Sequence, residues 1–551
     1  MCHYVSLVVL RWYWCSNIPS IKQIFSSSKE SEKDQFEVQV DSLENQSSDN
    51  FTKLDTVVSP HGKVVHIAHD DKHLDEALEF AKKHGHIEVS PAEDAKVRRK
   101  LDFIVLPLFC FLYMNQFMDK TSIGFAAVMG IRKDYNMVGT MYSWTNSGFY
   151  LGYVFGSPFA AILLQKVPTV RFVSITIIVW GIVQCCHAAP RSYAVFMFLR
   201  TLLGFLESFV APIFVIILNQ YYHHTEHFSR TGVFYGFNGL GTIFLSSVSF
   251  ALYRHTASYS LESYKILFLI VGLMTILNGI LIAFIMPNTP AEAKFLTERE
   301  KEVVVERIRH NNQGFGNKVF KWEQAYEVLY DPRTLTYFLL SLSVAIPNGG
   351  ISGFGTILLK GFGFSTETSL LYKMPTGAVE LVGLAGLPLV CKFIKSRMAV
   401  ALIYITFVLI WVCVLAFSTN RNAELAGLWI CGLSPCGIIL ITSCVTSNTA
   451  GHTKKLLTNA ITLIGYSAGN VIGPQTFRTS DAPSYNKAKA GCVGCYAATI
   501  VLMIFLTVFN IWENKKRDKQ REALGDKYIV PENVEFADLT DFQNPEFRYR
   551  V

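Results

Sequence analysis

Residues 193–221 read YAVFMFLRTLLGFLESFVAPIFVIILNQY, and they carry only two charged side chains, Arg200 and Glu207. As a helix this run is long enough to cross a hydrocarbon layer of about 30 Å. A soluble helix of that length would show a polar stripe, and this one has none. A charged side chain at the bilayer centre costs about 2.5–3.5 kcal/mol on insertion scales. A span that keeps two of them must shield them against other helices. The run therefore points to a bundle, and similar runs recur along the chain. They fall at approximately 101–122, 138–164, 170–189, 193–221, 230–253, 264–286, 335–359, 373–392, 398–417, 425–447, 455–476 and 491–511. The predicted fold is an all-α membrane protein with twelve transmembrane helices in two six-helix halves.

Composition agrees. The chain is 50% hydrophobic and 17% charged, against roughly 25% charged in soluble domains. Its charge is concentrated in residues 21–100, 288–334 and 512–551. A net charge of +7 could suggest nucleic acid, but many of the Lys and Arg residues flank spans, where orientation rules place them. We expect no nucleic-acid partner. Lys166, Arg171, Lys392, Lys395, Arg397, Lys454, Lys455 and the Lys515-Lys516-Arg517 run fall on one side, together with the segment 288–334. That side is read as cytosolic, with both termini inside. The expected organisation is a cytosolic tail (1–100), a first half (101–287), a cytosolic bridge (288–334), a second half (335–511) and a cytosolic tail (512–551). In the bridge, Thr297 and Glu300 form a capping-box pattern before an amphipathic stretch from Val303 to Ile308. A short helix is predicted at Lys72 to Lys83. Val5 to Leu10, followed by Arg11, resembles a signal-peptide core without a convincing cleavage site.

The 12 cysteines read as packing residues, since most lie inside apolar runs, as Cys110, Cys185, Cys186, Cys413 and Cys431 do. Cys492 and Cys495 have redox-motif spacing but open an apolar helix. His223, His224 and His227 have metal-binding spacing, yet solvated loop histidines are the commoner case. No phosphate-cradling Gly-Lys-Ser/Thr loop and no nucleophile–base pair is found within the spans. The chain is read as neither an enzyme nor a holder of any metal or cofactor.

The ionisable residues inside spans carry the functional reading. Arg200 and Glu207 are two helical turns apart, so they share a face at about 10 Å separation. Gly204 lies between them and leaves room for a ligand or a neighbouring helix. One reading is a buried charge network that holds helices together. The other is a cation for substrate beside a titratable carboxylate for a proton. Asp119 and Lys120 come late in the first span. A helix starting near Leu101 puts Asp119 about 27 Å along, at the outer headgroups, unless it starts lower or tilts. Glu380 is flanked by apolar residues with no obvious partner. Burial favours the neutral form of such a carboxyl group, which either hydrogen-bonds between helices or faces a cavity. Among the amides within spans, Asn348 is the best candidate for a substrate contact. Pro347, Gly349 and Gly350 surround it and can open backbone groups toward a cavity. Asn146, Gln184, Asn219, Asn238, Asn459 and Asn470 are read mainly as interhelical hydrogen-bonders.

Arg200, Gly204, Glu207 and Pro212 together resemble the helix-4 motif of the anion:cation symporter family within the major facilitator superfamily. Lys100-Leu-Asp-Phe, Leu106-Pro-Leu and Asp119-Lys120-Thr-Ser-Ile-Gly resemble its first helix. Several segments are similar to the fungal allantoate permease branch. They are Pro287-Asn-Thr-Pro-Ala-Glu-Ala-Lys-Phe-Leu, Glu306-Arg-Ile-Arg, Asp331-Pro-Arg, Ile346-Pro-Asn-Gly-Gly, Lys360-Gly-Phe-Gly-Phe-Ser, Met374-Pro-Thr-Gly-Ala-Val and Ile472-Gly-Pro-Gln-Thr-Phe. The resemblance spans about residues 95–515. It implies a monomeric plasma-membrane symporter that imports a small organic anion (allantoate, a ureide, nicotinate or another carboxylate) with protons. It further implies substrate contacts at Arg200 and Lys120, and proton coupling at Glu207 and Asp119. Asn348 joins the first group and Glu380 the second on the residue reading above. Lys120 replaces the family's usual Arg and lacks its two-pronged grip. Ser122 replaces the usual Asn. A nutrient sensor that binds without transporting is the alternative, and the modest tails argue against it.

Overall fold

The computed structural model describes Thr56–Val58, Val64–His66 and residues 89–164, 167–190, 192–309, 321–394, 396–524, 539–544 and 546–551. Strands β1 (Thr56–Val58) and β2 (Val64–His66) pair antiparallel with Val57 opposite Val65. They fall in a segment read from sequence as featureless tail. Val57, Val58, Val64 and Val65 supply the β-branched residues such a pair favours. The expected helix at Lys72 to Lys83 lies outside the described residues. So does the Val5 to Leu10 stretch.

The rest is helical. In the first half these are α1 (Pro91–Met129), α2 (Met141–Leu163), α3 (Thr169–Cys186), α4 (Tyr193–Glu207), α5 (Val210–Tyr221), α6 (His224–Arg254) and α7 (Ser263–Ile285). Two helices of the bridge, α8 (Glu298–Arg309) and α9 (Trp322–Tyr330), follow. In the second half come α10 (Pro332–Gly361), α11 (Thr366–Leu371), α12 (Met374–Phe393), α13 (Arg397–Phe417), α14 (Arg421–Ile430), α15 (Ser434–Asn448), α16 (His452–Thr476) and α17 (Asn486–Leu524). Pairs α4–α5, α11–α12 and α14–α15 each form one span, giving twelve.

Ten of these spans are long and apolar enough to cross a membrane among the described residues. The other two, α2 and α16, are more polar, and the reason is their position. They pack on each other across the two halves, so Asn146, Ser147, Ser467 and Asn470 are buried in protein. Large apolar side chains instead cover the outside. Phe103, Phe284 and Phe393 are each more than 80% exposed, a surface suited to lipid rather than water.

Local chemistry sets the boundaries. Ser90 Oγ accepts from the Glu93 amide and Glu93 accepts from the Ser90 amide, with Pro91 at the first helical position. This capping box starts α1 at Pro91, ten residues before the apolar run opens at Leu101. Asp331 caps α10 more simply, its Oδ1 accepting from the Arg333 amide. The helix of the fourth span is interrupted at Ser208 and Phe209. Pro212 lacks an N–H and its ring crowds the carbonyl four residues back, that of Ser208.

The two halves are hydrogen-bonded to each other at one end. Tyr142 Oη donates to Gly353 O (2.6 Å) and Thr356 Oγ1 to Gly124 O (2.5 Å). Ser147 Oγ donates to Val471 O (2.7 Å) and accepts from Gln475 Nε2 (2.9 Å). The opposite end carries ion pairs that tie the bridge to the first half. Lys100 Nζ meets Glu300 at 2.6 Å, and Arg307 meets Glu226 at 2.8 Å and Asp94 at 3.1 Å. The Thr297–Glu300 capping box is present there. Lys454, 1% exposed, lies 2.8 Å from Asp541 and 3.0 Å from Asp331. The final residues thus fold back on the second half, where Arg333 stacks 3.7 Å from the Tyr549 ring centroid.

Candidate substrate and ion-coupling site

Helix α1 sets the first group. Asp119 is fully buried, and α1 continues ten residues beyond it, about 15 Å. It therefore lies within the bundle and not at its outer end. The later end of α1, at Met129 and not near 122, accounts for the difference. Trp180 Nε1 on α3 donates to Asp119 Oδ2, and Asp119 Oδ1 has no hydrogen-bond partner among the described residues.

Arg200 on α4 is 1% exposed and turned toward α1 and α2. Its Nε donates to Thr145 O (3.3 Å), its Nη1 to Asp119 O (3.3 Å) and its Nη2 to Lys120 O (3.4 Å). Its Cζ sits 5.5 Å from the Phe149 ring centroid. No carboxylate among the described residues forms an ion pair with it. The guanidinium staples three helices through their main chains and holds the Asp119-Lys120 step in place.

Gly204, between Arg200 and Glu207, makes this staple reachable. A Cβ there would strike the Phe149 backbone, and a Cβ on Gly152 would strike that of Thr201. The space expected at Gly204 is thus filled by α2, not by a ligand. Glu207 is 1% exposed and its Oε2 lacks a partner among the described residues. Asp119, Lys120, Gln116 and Arg200 are the polar groups it feels. Lys120 is half-buried, lies 5.5 Å from the Phe117 ring centroid, and feels Glu207, Tyr466 and Asp119.

The second group lines a cavity of about 50 Å³ between the halves. Phe117 and Thr121 of α1 border it, one on each side of the Asp119-Lys120 step. Asn348 of α10 and Lys373 and Glu380 of the eighth span border it from the other half. Asn348 Nδ2 donates to Asn470 Oδ1 at 3.0 Å. Glu380 is 3% exposed and its Oε1 has no partner among the described residues. Asn238, Lys373 and Lys120 are the polar groups it feels, so it does not stand alone as its sequence neighbours suggest.

The six expected residues therefore divide. Asp119, Lys120, Arg200 and Glu207 gather in the first half, while Asn348 and Glu380 face the cavity, with Lys120 linking the sets. Two contributors were missed from sequence. Trp180 gave no signal, being one aromatic in an apolar run. Lys373 did give one: it precedes Glu380 by seven residues, as Arg200 precedes Glu207. It was read as the edge of a span, but the eighth span begins at Thr366.

Residues 109–474 match the model of the Major Facilitator Superfamily. The chain belongs to that superfamily. This facilitator is 44% identical over 511 residues to the allantoate permease of Saccharomyces cerevisiae, covering 90% of this chain and 93% of that one. It is 41% identical to an uncharacterised transporter of Schizosaccharomyces pombe, covering 87% and 96%. A thiamine pathway transporter of S. cerevisiae is 34% identical, covering 86% and 89%. The fold is similar to that of the E. coli xylose transporter in a partially occluded inward open conformation, with TM-score 0.55, 13% identity and coverage of 73% and 96%. It is likewise similar to a bacterial homologue of the human lysosomal transporter Spinster, with TM-score 0.52, 16% identity and coverage of 74% and 95%. The chain is thus a multi-pass membrane transporter of the fungal allantoate permease branch and not an enzyme.

Proposed function

We propose that this facilitator imports a small organic anion together with protons across the plasma membrane. Allantoate, another ureide, nicotinate or a related carboxylate is the cargo. The observation that carries the reading is the set of three buried carboxylates in one polar core. Asp119, Glu207 and Glu380 each keep an oxygen without a partner among the described residues. An ionised carboxylate left so is costly in a low-dielectric interior, so it holds a proton or takes a cation. Lys120 and Arg200 put positive charge beside the first two. Lys120 reaches the anion, and Arg200 holds the α1 step that presents it. Glu207 is the leading proton carrier, followed by Asp119 and Glu380.

In this reading residues 101–287 and 335–511 rock about the cavity, bridged by 288–334 on the cytosolic side with both tails. The Tyr142–Gly353 and Gly124–Thr356 contacts then close the outer gate. About 50 Å³ holds roughly three to five waters, so the halves part to admit cargo. The similarity to allantoate permease supports the cargo class. The test is uptake of labelled allantoate by proteoliposomes, with and without an imposed inward proton gradient. Gradient-driven accumulation supports the proposal, and uptake indifferent to the gradient contradicts it.

A further inference from the structure

Lys373 is the cation that the first-half cluster leaves unexplained. It immediately precedes α12, is 8% exposed, and borders the central cavity. Its ammonium makes no hydrogen bond or ion pair among the described residues. Glu380 is its carboxylate neighbour through space, two turns further along, but the two do not pair. Room for the ammonium comes from Gly355 on α10, where a Cβ would collide with Lys373 Nζ. The ammonium thus rests against α10 at the cavity wall, with no carboxylate among the described residues bonded to it. A buried ammonium without a partner is costly. Within a cavity, that cost is offset when an anion arrives.

The groups around it define what the anion looks like. Asn348 uses its amide N–H on Asn470, which leaves its carbonyl oxygen as an acceptor at the cavity wall. Glu380 offers a second acceptor. We infer that Lys373 receives the substrate's carboxylate from the second half, while Asn348 and Glu380 accept N–H groups from an amide or ureide portion. The site thus takes a small carboxylate bearing N–H donors, held by Lys373 of the second half against Phe117 and Thr121 of the first, which flank Lys120. This rests on the anion-transport reading above and deepens it. An anion gripped by both halves also gives a reason for them to close together on cargo.

Binding needs neither transport nor a proton gradient, so it separates this inference from that reading. Full-length wild type, Lys373→Gln and Lys373→Arg are purified in detergent and titrated with allantoate, then with allantoin as an uncharged ureide, following thermal stabilisation. Lys373→Gln weakens allantoate binding roughly ten- to hundredfold, the worth of one charge-assisted hydrogen bond. Lys373→Arg stays within about threefold. Unchanged allantoate affinity in Lys373→Gln overturns the inference. So does an equal loss for both ligands, and so does a wild type that allantoate does not stabilise. A second measurement needs no stable Gln variant. Lys373→Cys, in a Cys431→Ser background because Cys431 borders the same cavity, is labelled with an anionic thiosulfonate. Allantoate, supplied at about a thousandfold over the wild-type Kd to offset the lost ammonium, slows the labelling if the inference holds, and labelling at the same rate under that excess overturns it.

Discussion

Arg200→Gln separates a positioning role from a direct grip on substrate. The wild-type guanidinium makes three hydrogen bonds to main-chain carbonyls, at 3.3, 3.3 and 3.4 Å, and stacks over Phe149 at 5.5 Å. Hydrogen bonds between membrane helices average about 0.6 kcal/mol in double-mutant cycles, and those to charged groups in soluble proteins reach about 1.5–3 kcal/mol. A desolvated cation–π contact adds about 1–2 kcal/mol. Glutamine is shorter and recovers one bond at most. The expected loss is about 2–4 kcal/mol of stability, read from reversible unfolding in mixed micelles. Lys, with a point charge and no fork, recovers only part of it. Because the staple holds the Asp119-Lys120 step, substrate affinity falls too, and in proportion to the structural loosening. A variant that keeps wild-type stability to within about 0.5 kcal/mol while losing substrate affinity tenfold would refute the staple and make Arg200 a direct ligand.

Gly204→Val forces α2 and α4 apart, because its Cβ meets the Phe149 backbone. It costs at least about 1–3 kcal/mol and lowers the amount of folded transporter in the same unfolding assay. Asp541→Asn removes one of the carboxylates on buried Lys454 while Asp331 remains at 3.0 Å. It destabilises by about 1–3 kcal/mol, less than breaking an isolated buried pair, and exposes the last residues to carboxypeptidase. Asn45 and Asn50 sit in glycosylation sequons, and with a cytosolic N-terminal tail neither carries a glycan. An endoglycosidase-sensitive mass shift that disappears when both are mutated would overturn that topology.

The spans and the shared buried face of Arg200 and Glu207 were legible because apolar length and helical spacing are local properties. Asp119 was misplaced by the sequence geometry for an equally local reason. The expected span stops at 122, yet α1 stays helical to Met129. At Gly204 a ligand and a neighbouring helix both stayed open, since spacing tells which face it occupies but not what fills it, and Phe149 comes from another helix. Lys373 escaped notice because the short α11 extends the eighth span beyond the hydropathy edge. The docking of Asp541 and Tyr549 on Lys454 and Arg333 joins residues far apart in sequence. Composition at the C-terminus gives no hint of it.

The central claim is proton coupling through Glu207, and Glu207→Gln tests it by fixing the neutral form. Purified protein in proteoliposomes is assayed for allantoate counterflow and for accumulation driven by an inward proton gradient, in the same vesicles. Counterflow needs no net proton movement, so the variant is expected to retain exchange and to lose concentrative uptake. A Glu207→Gln transporter that concentrates allantoate as wild type does would contradict the account and move the coupling site to Asp119 or Glu380.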